Sequence, residues 1–177
     1  METFTSLKQP VDNPAFAAQR RRTLEQLDPA ELDPPMVDLV RRLNELPYCF
    51  TIQSCCGHFV FGGHPDPRNL ERLPPSQGAG PVQYRMAYLA LCLDNGEQGI
   101  ALLRDLERLP AIDPQYVQFG CADWFWERQV NSYALQVMPM RHRTRDSAWI
   151  DYAEALRVQS VRDELLGRLD QLVDARL

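Results

Sequence analysis

Residues 49–64 read "CFTIQSCCGHFVFGGH", which gathers three of the five cysteines and two of the three histidines of a 177-residue chain into one stretch. Thiols and imidazoles are nucleophiles, general bases and ligands for borderline-soft metals, so three chemistries compete for these residues. Cys55, Cys56, His58 and His64 offer a zinc set, but structural zinc sites draw on two spaced pairs and no second pair exists here. The expectation is therefore that this set holds no metal. Cys55 or Cys56 offers a nucleophile with His58 or His142 as base, an arrangement that spacing alone does not decide. The third use is a ligand pocket built by the backbone of "SCCGH" and the Ser54 hydroxyl. Gly57 permits positive φ and close backbone approach, and successive backbone N–H groups in such a turn form an anion-binding nest. The residue types favour this third use. Cys49, Cys92 and Cys121 read as buried free thiols acting as small apolar residues.

Two further segments carry chemistry. In "MRHRTR", Arg141, His142, Arg143 and Arg145 are expected between a strand end and a helix N-terminus, where backbone N–H groups also favour anions. The cluster is a candidate phosphate or carboxylate site, set against ordinary surface charge. In "CADWFWERQ", Trp124 and Trp126 are able to stack on a base or to fill a core, and Asp123 or Glu127 to hold hydroxyl or amino groups. "RRR" at 20–22 fans around a helix and reads as a solvated face.

The elements that must position these groups follow from local signals. Asn13 with Pro14 starts a helix over "AFAAQRRRTLEQL", and Asp33 with Pro34 repeats the signal before "PPMVDLVRRLNEL", where Met36, Val40 and Leu43 share a face. "YCFTIQS" reads as a strand, "HFVF" as its hairpin partner, and "CCG" as the turn between them. Residues 62–81 are rich in proline and glycine and form a long loop. "YRMAYLALCL" reads as a central strand buried on both faces, with Ala87, Leu89 and Leu91 on one and Met86, Tyr88 and Ala90 on the other. A helix over "DNGEQGIALLRDLERL" and strands "QYVQFGC" and "NSYALQVMP" follow. The rest, from "TRDSAWIDYAEALRV" onward, reads as one long helix or a broken pair with Gly167 as its weak point. This order implies a single α/β or α+β domain over residues 1–177 with a mixed sheet. No GxGxxG follows a strand, so a Rossmann fold has no support.

Composition narrows the partners. A hydrophobic fraction of 45% and a charged fraction of 24% are those of a soluble globular protein. No apolar run approaches the roughly 20 residues of a membrane span, and no leader peptide is read. The expected setting is the cytoplasm, with reduced cysteines. A net charge of −5 disfavours non-specific nucleic-acid binding. Lys8 is the only lysine, which leaves almost no room for Schiff-base chemistry.

The segment "VDLVRRLNELPYCFTIQSCCGHF" resembles that around the Thr-Thr-Ser-Ser-Cys-Ser-Gly-Arg motif of the wybutosine-synthesis tRNA methyltransferases, the third enzyme of that pathway and its archaeal relatives. Thr51, Ser54, Cys55 and Gly57 match the motif, whereas Ile52, Gln53, Cys56 and His58 replace its Thr, Ser, Ser and Arg. Asn44 and Tyr48 sit as in the family, and the later strand–helix–strand–strand–helix layout is similar. The Trp and Ser-His that the family carries after its second strand are absent, with the proline-rich loop in their place. The resemblance implies an α/β fold unlike Rossmann, S-adenosylmethionine as methyl donor and a modified tRNA guanosine as acceptor. It further implies a ligand site at Thr51, Ser54, Cys55, Gly57 and His58, with His58 or the arginine cluster holding a phosphate or carboxylate. The alternatives are a small-molecule or anion-binding module that has kept the fold without the activity, or a cysteine-based metal or redox site.

Overall fold

The computed structural model describes residues 6–75 and 80–177. Residues 76–79 of the expected loop lie outside the described residues. The chain folds as α1 (Phe16–Gln26), α2 (Val37–Glu45), β1 (Cys49–Cys55), β2 (His58–Val60), β3 (Pro81–Arg85), β4 (Ala87–Leu93), α3 (Glu97–Leu106), β5 (Val117–Gly120), α4 (Asp123–Arg128), β6 (Ser132–Val137), β7 (Ser147–Asp151) and α5 (Tyr152–Asp174). Four strands form a sheet in the order β1-β4-β6-β5, and β2-β3-β7 form a second. The fold is α+β, as expected, but every strand pairing is antiparallel, so neither sheet is mixed.

β4 is central, flanked by β1 and β6, and its alternate residues face opposite ways as the continuous apolar run demands. Ala87, Leu89, Leu91 and Leu93 enter the main core, which continues through Leu39 and Leu43 of α2, Leu102 and Leu106 of α3, and Val158, Val161, Leu165 and Leu169 of α5. Ala90 and Cys92 face the other way, Ala90 under Phe125 of α4 and Cys92 beside Phe16 of α1. The apolar run is not one strand, however. It breaks at Met86, whose N–H donates to the Asp146 carbonyl at 2.9 Å, and β3 before the break belongs to the second sheet.

Two further expectations are corrected. β2 is not the hairpin partner of β1: β4 takes the pairing edge of β1, and the turn at Cys56–Gly57 carries the chain across to pair with β3. "SAWID" is not helical but the edge strand β7, with Ala148 and Ile150 buried and Ser147, Trp149 and Asp151 exposed. Its period-2 burial is that of a half-buried strand. α5 then starts at Asp151, whose carboxylate accepts the Glu154 N–H at 2.8 Å, and runs unbroken through Gly167. The described part of the loop after β2 is tied down on α5. Leu73 N–H donates to Gln159 Oε1 at 2.8 Å, and the Tyr152 hydroxyl donates to the Pro74 carbonyl at 2.7 Å.

The segment before α1 is strapped over the far end of the four-stranded sheet. Asn131, buried and with φ +61°, receives the Val11 N–H at 2.8 Å and donates to the Val11 carbonyl at 2.7 Å. The Lys8 ammonium reaches Asp123 at 2.8 Å and lies over the Trp126 ring. Among the described residues no helix is long and apolar enough to cross a membrane.

Candidate functional site

The "SCCGH" turn is packed more tightly than an open pocket would be. Thr51 is locked to α2: its N–H donates to Asn44 Oδ1 at 2.8 Å, and Asn44 Nδ2 donates to Thr51 Oγ1 at 3.0 Å. Gly57 has φ +81°, the left-handed conformation expected of it. Yet a Cβ there would lie 2.9 Å from Ala87 Cβ and 3.2 Å from the Tyr84 hydroxyl, so the close approach is to the protein's own core. The Gly57 carbonyl accepts from Arg162 Nη1 at 3.3 Å. Ser54 Oγ is buried with no hydrogen-bond partner among the described residues.

The anion that the turn attracts is internal. Cys56 N–H donates to Asp33 Oδ2 at 2.8 Å, and His58 Nε2 lies 3.3 Å from the same oxygen. Asp33, expected as a helix cap, makes no capping hydrogen bond and reaches this turn instead. Burial would raise its carboxyl, but the Cys56 N–H, neighbouring His58 and the two thiols outweigh that and hold it below the usual carboxylate value. Burial, with Asp33 adding to it, pushes the Cys55 thiol up to about 11 against the lowering effect of the Gly57 N–H. Burial, Asp33 and Cys55 push Cys56 up to about 12. Both are thiols at neutral pH, the poorly nucleophilic form. All five cysteines are free and buried.

Asp33, Cys55 and His58 bring their donor atoms within 4.8 Å of one another, the one such group of three found among the described residues. The set weighed from sequence is not assembled, since Cys56 and His64 are not part of this group. His64 lies instead 3.2 Å from Glu71 and tilts on the Phe61 ring.

The arginine cluster does not stand at a helix N-terminus, because β7 intervenes. Arg141 spans back to Glu154 of α5, donating from Nη1 to Oε1 at 2.6 Å and from Nη2 to Oε2. Burial and the charges of Arg141 and Arg145 push His142 down. Arg143 contributes its carbonyl, which accepts from Gln136 Nε2 at 2.8 Å.

Two open clefts lie on the outer face of the four-stranded sheet, opposite the main core, and another of about 230 Å³ is lined by Tyr116, Met140 and Arg141 elsewhere. Residues paired across antiparallel strands share a face, so the register Gln53↔Ala90, Tyr88↔Gln136 and Ala90↔Ala134 lays out its floor. One cleft of about 320 Å³ is lined by Gln53, Arg85, Tyr88, Trp124, Gln136 and Asp146, among others. Trp124, 38% exposed, stacks on Phe125 at 3.9 Å between centroids. Gln136 spends its amide hydrogens on Gln118 Oε1, at 3.0 Å, and the Arg143 carbonyl, leaving its own oxygen to accept. A second cleft of about 400 Å³, between β1 and the end of α1, shares Gln53 and Tyr88 with the first and includes Ser54. The sequence marks Trp124 as able to stack, but it gives no site role to Gln53, Arg85, Tyr88, Gln136 or Asp146. The available signal is the glutamine inside each of two largely apolar strands, "CFTIQSC" and "SYALQV".

No family model matches the chain, and no curated protein matches it. Among solved structures it is similar to the PH1069 protein from Pyrococcus horikoshii, with 14% identity over 89% of this chain and 95% of that one and a TM-score of 0.48.

Proposed function

We propose that the chain is a divergent relative of the S-adenosylmethionine-dependent tRNA N-methyltransferases of wybutosine synthesis, acting on a guanosine-like acceptor in the cytoplasm. The observation that carries this reading is the pair of adjoining clefts meeting at Gln53 and Tyr88. Methyl transfer between two bound molecules needs two compartments with a common wall, and its catalysis rests mostly on holding donor and acceptor in line. The smaller cleft suits the donor. Trp124 and Phe125 offer a stacking platform for adenine, Gln136 an acceptor for its amino group, and Arg85 with Asp146 opposite charges for the carboxylate and ammonium of the methionine moiety. Thr51 and Ser54 are among the residues lining the second cleft, where the acceptor base would lie. Cys55, Gly57 and His58 belong to the packed turn behind it.

A specific observation favours the second reading, a binding module without the activity. The turn's donors are spent on Asp33 and Arg141 is paired with Glu154, so these groups are not offered to a phosphate. Calorimetric titration with S-adenosylmethionine, then with mixed tRNA, separates the two. Binding of both supports the enzyme, and binding of the donor alone supports the module. Binding of neither sinks the proposal.

A further inference from the structure

His58 is held in a way that calls for a cation beside it. Its side chain is 4% exposed, and Nδ1 lies 3.3 Å from the Asn69 carbonyl oxygen. A carbonyl oxygen only accepts, so Nδ1 carries the hydrogen and Nε2 is directed at Asp33. There it meets Oδ2 at 3.3 Å, another acceptor. A lone pair facing a carboxylate oxygen is repulsive unless a proton or a metal ion lies between them. A histidine whose other ring nitrogen donates to a backbone carbonyl is also the usual arrangement of a metal ligand, because the tether fixes both tautomer and ring orientation.

A third donor points toward a metal. Cys55 Sγ, a carboxylate oxygen of Asp33 and a ring nitrogen of His58 all lie within 4.8 Å of one another. Without an ion the Cys55 thiol donates to the Asp33 carboxylate; as a thiolate it completes, with one imidazole and one carboxylate, a mixed set suited to a borderline-soft divalent ion. A tetrahedron with bonds of roughly 2.0–2.2 Å has edges of about 3.4 Å, and the 3.3 Å from Nε2 to Oδ2 already matches one edge. Charge balances as well: the carboxylate and the thiolate together neutralise a dication, while the S–H hydrogen and any hydrogen on Nε2 leave to water.

We propose that Asp33, Cys55 and His58 form a zinc-class site with three protein ligands, its fourth position open on the side where Asp33, 25% exposed, reaches solvent. The ion joins the segment before α2, the end of β1, the start of β2 and, through Asn69, the following loop. This site shares no residue with the donor cleft on the outer face and is tested without a donor.

The test takes the full chain, stripped with a chelator, and titrates it with Co²⁺ followed by Zn²⁺. The expected result is one equivalent of cobalt giving a thiolate-to-cobalt charge-transfer band in the near ultraviolet, displaced by zinc, and a zinc-dependent rise in Tm. Cys55→Ser abolishes the band. It lowers zinc affinity by more than the roughly 10–100-fold that loss of a supporting partner costs, while Cys56→Ser keeps both. A wild-type protein with no such band overturns the proposal without recourse to any variant. A band that survives Cys55→Ser, or that disappears in Cys56→Ser instead, overturns the ligand set.

Discussion

The two faces of the four-stranded sheet are built from the same strands and treated in opposite ways. On the inner face Leu89, Leu91, Tyr133 and Leu135 are sealed under α2, α3 and α5. On the outer face the cover is partial. Phe16 closes it over Phe50 and Cys92, and Phe125 closes it over Ala90 and Ala122. Between and beyond these lids stand Gln53, Tyr88 and Gln136 around the clefts. Antiparallel sheets tolerate one open face, which is where binding groups are available without a loss of core. The lesson is that alternate residues of the same strands seal a core on one face and leave polar groups open on the other.

That division is open to experiment. Leu91→Ala, on the sealed face, is expected to cost about 2–5 kcal/mol by urea denaturation, because it empties a site with no exposure. A loss below about 1 kcal/mol would mean that the inner face is not the core. Gly57→Val is expected to cost about 2–4 kcal/mol, since valine is strained at φ +81° and its Cβ meets Ala87. A variant as stable as the parent would break the account of the turn as packed structure.

Trp124→Ala is the mirror experiment on the open face. Its side chain is partly exposed, so the stability change should stay within about 1 kcal/mol. Affinity for S-adenosylmethionine should fall by about 1–3 kcal/mol in calorimetry, the usual worth of one stacked base. Equal affinity in the two proteins would remove the smaller cleft as the donor site. Least of all should come from Arg141→Gln. It breaks a surface ion pair with Glu154, worth about 0.2–1 kcal/mol, and should leave ligand affinity untouched. A marked drop in affinity would restore the arginine cluster as an anion site.

What the sequence disclosed follows the same line. The central place of β4 was legible because both its faces are apolar, and only a doubly covered strand accepts that. The break at Met86 was not, because no glycine or proline marks it and the change of sheet is a tertiary choice. β7 was hidden by reading "SAWID" as a lead-in to α5, although Trp149 and Ile150 already favour a strand. At the turn, the left-handed Gly57 was readable from its type, but its neighbour was not. Asp33 lies 23 residues before Cys56 and shares no motif with it, so nothing local announces that the turn's anion is built in. The outer cleft went unread because its residues come from β1, β3, β4, α4 and β6, and only the register brings them together.

The strap that Val11 and Lys8 lay across Asn131 and Asp123 has a bearing on biosynthesis. During translation the segment around Val11 leaves the ribosome well before its docking partners do, since Val11 and Asn131 are 120 positions apart. Lys8 can dock once Cys121 and Asp123 are made, whereas Val11 must wait for Asn131. A product ending before residue 131 would lack the Asn131 anchor of Val11.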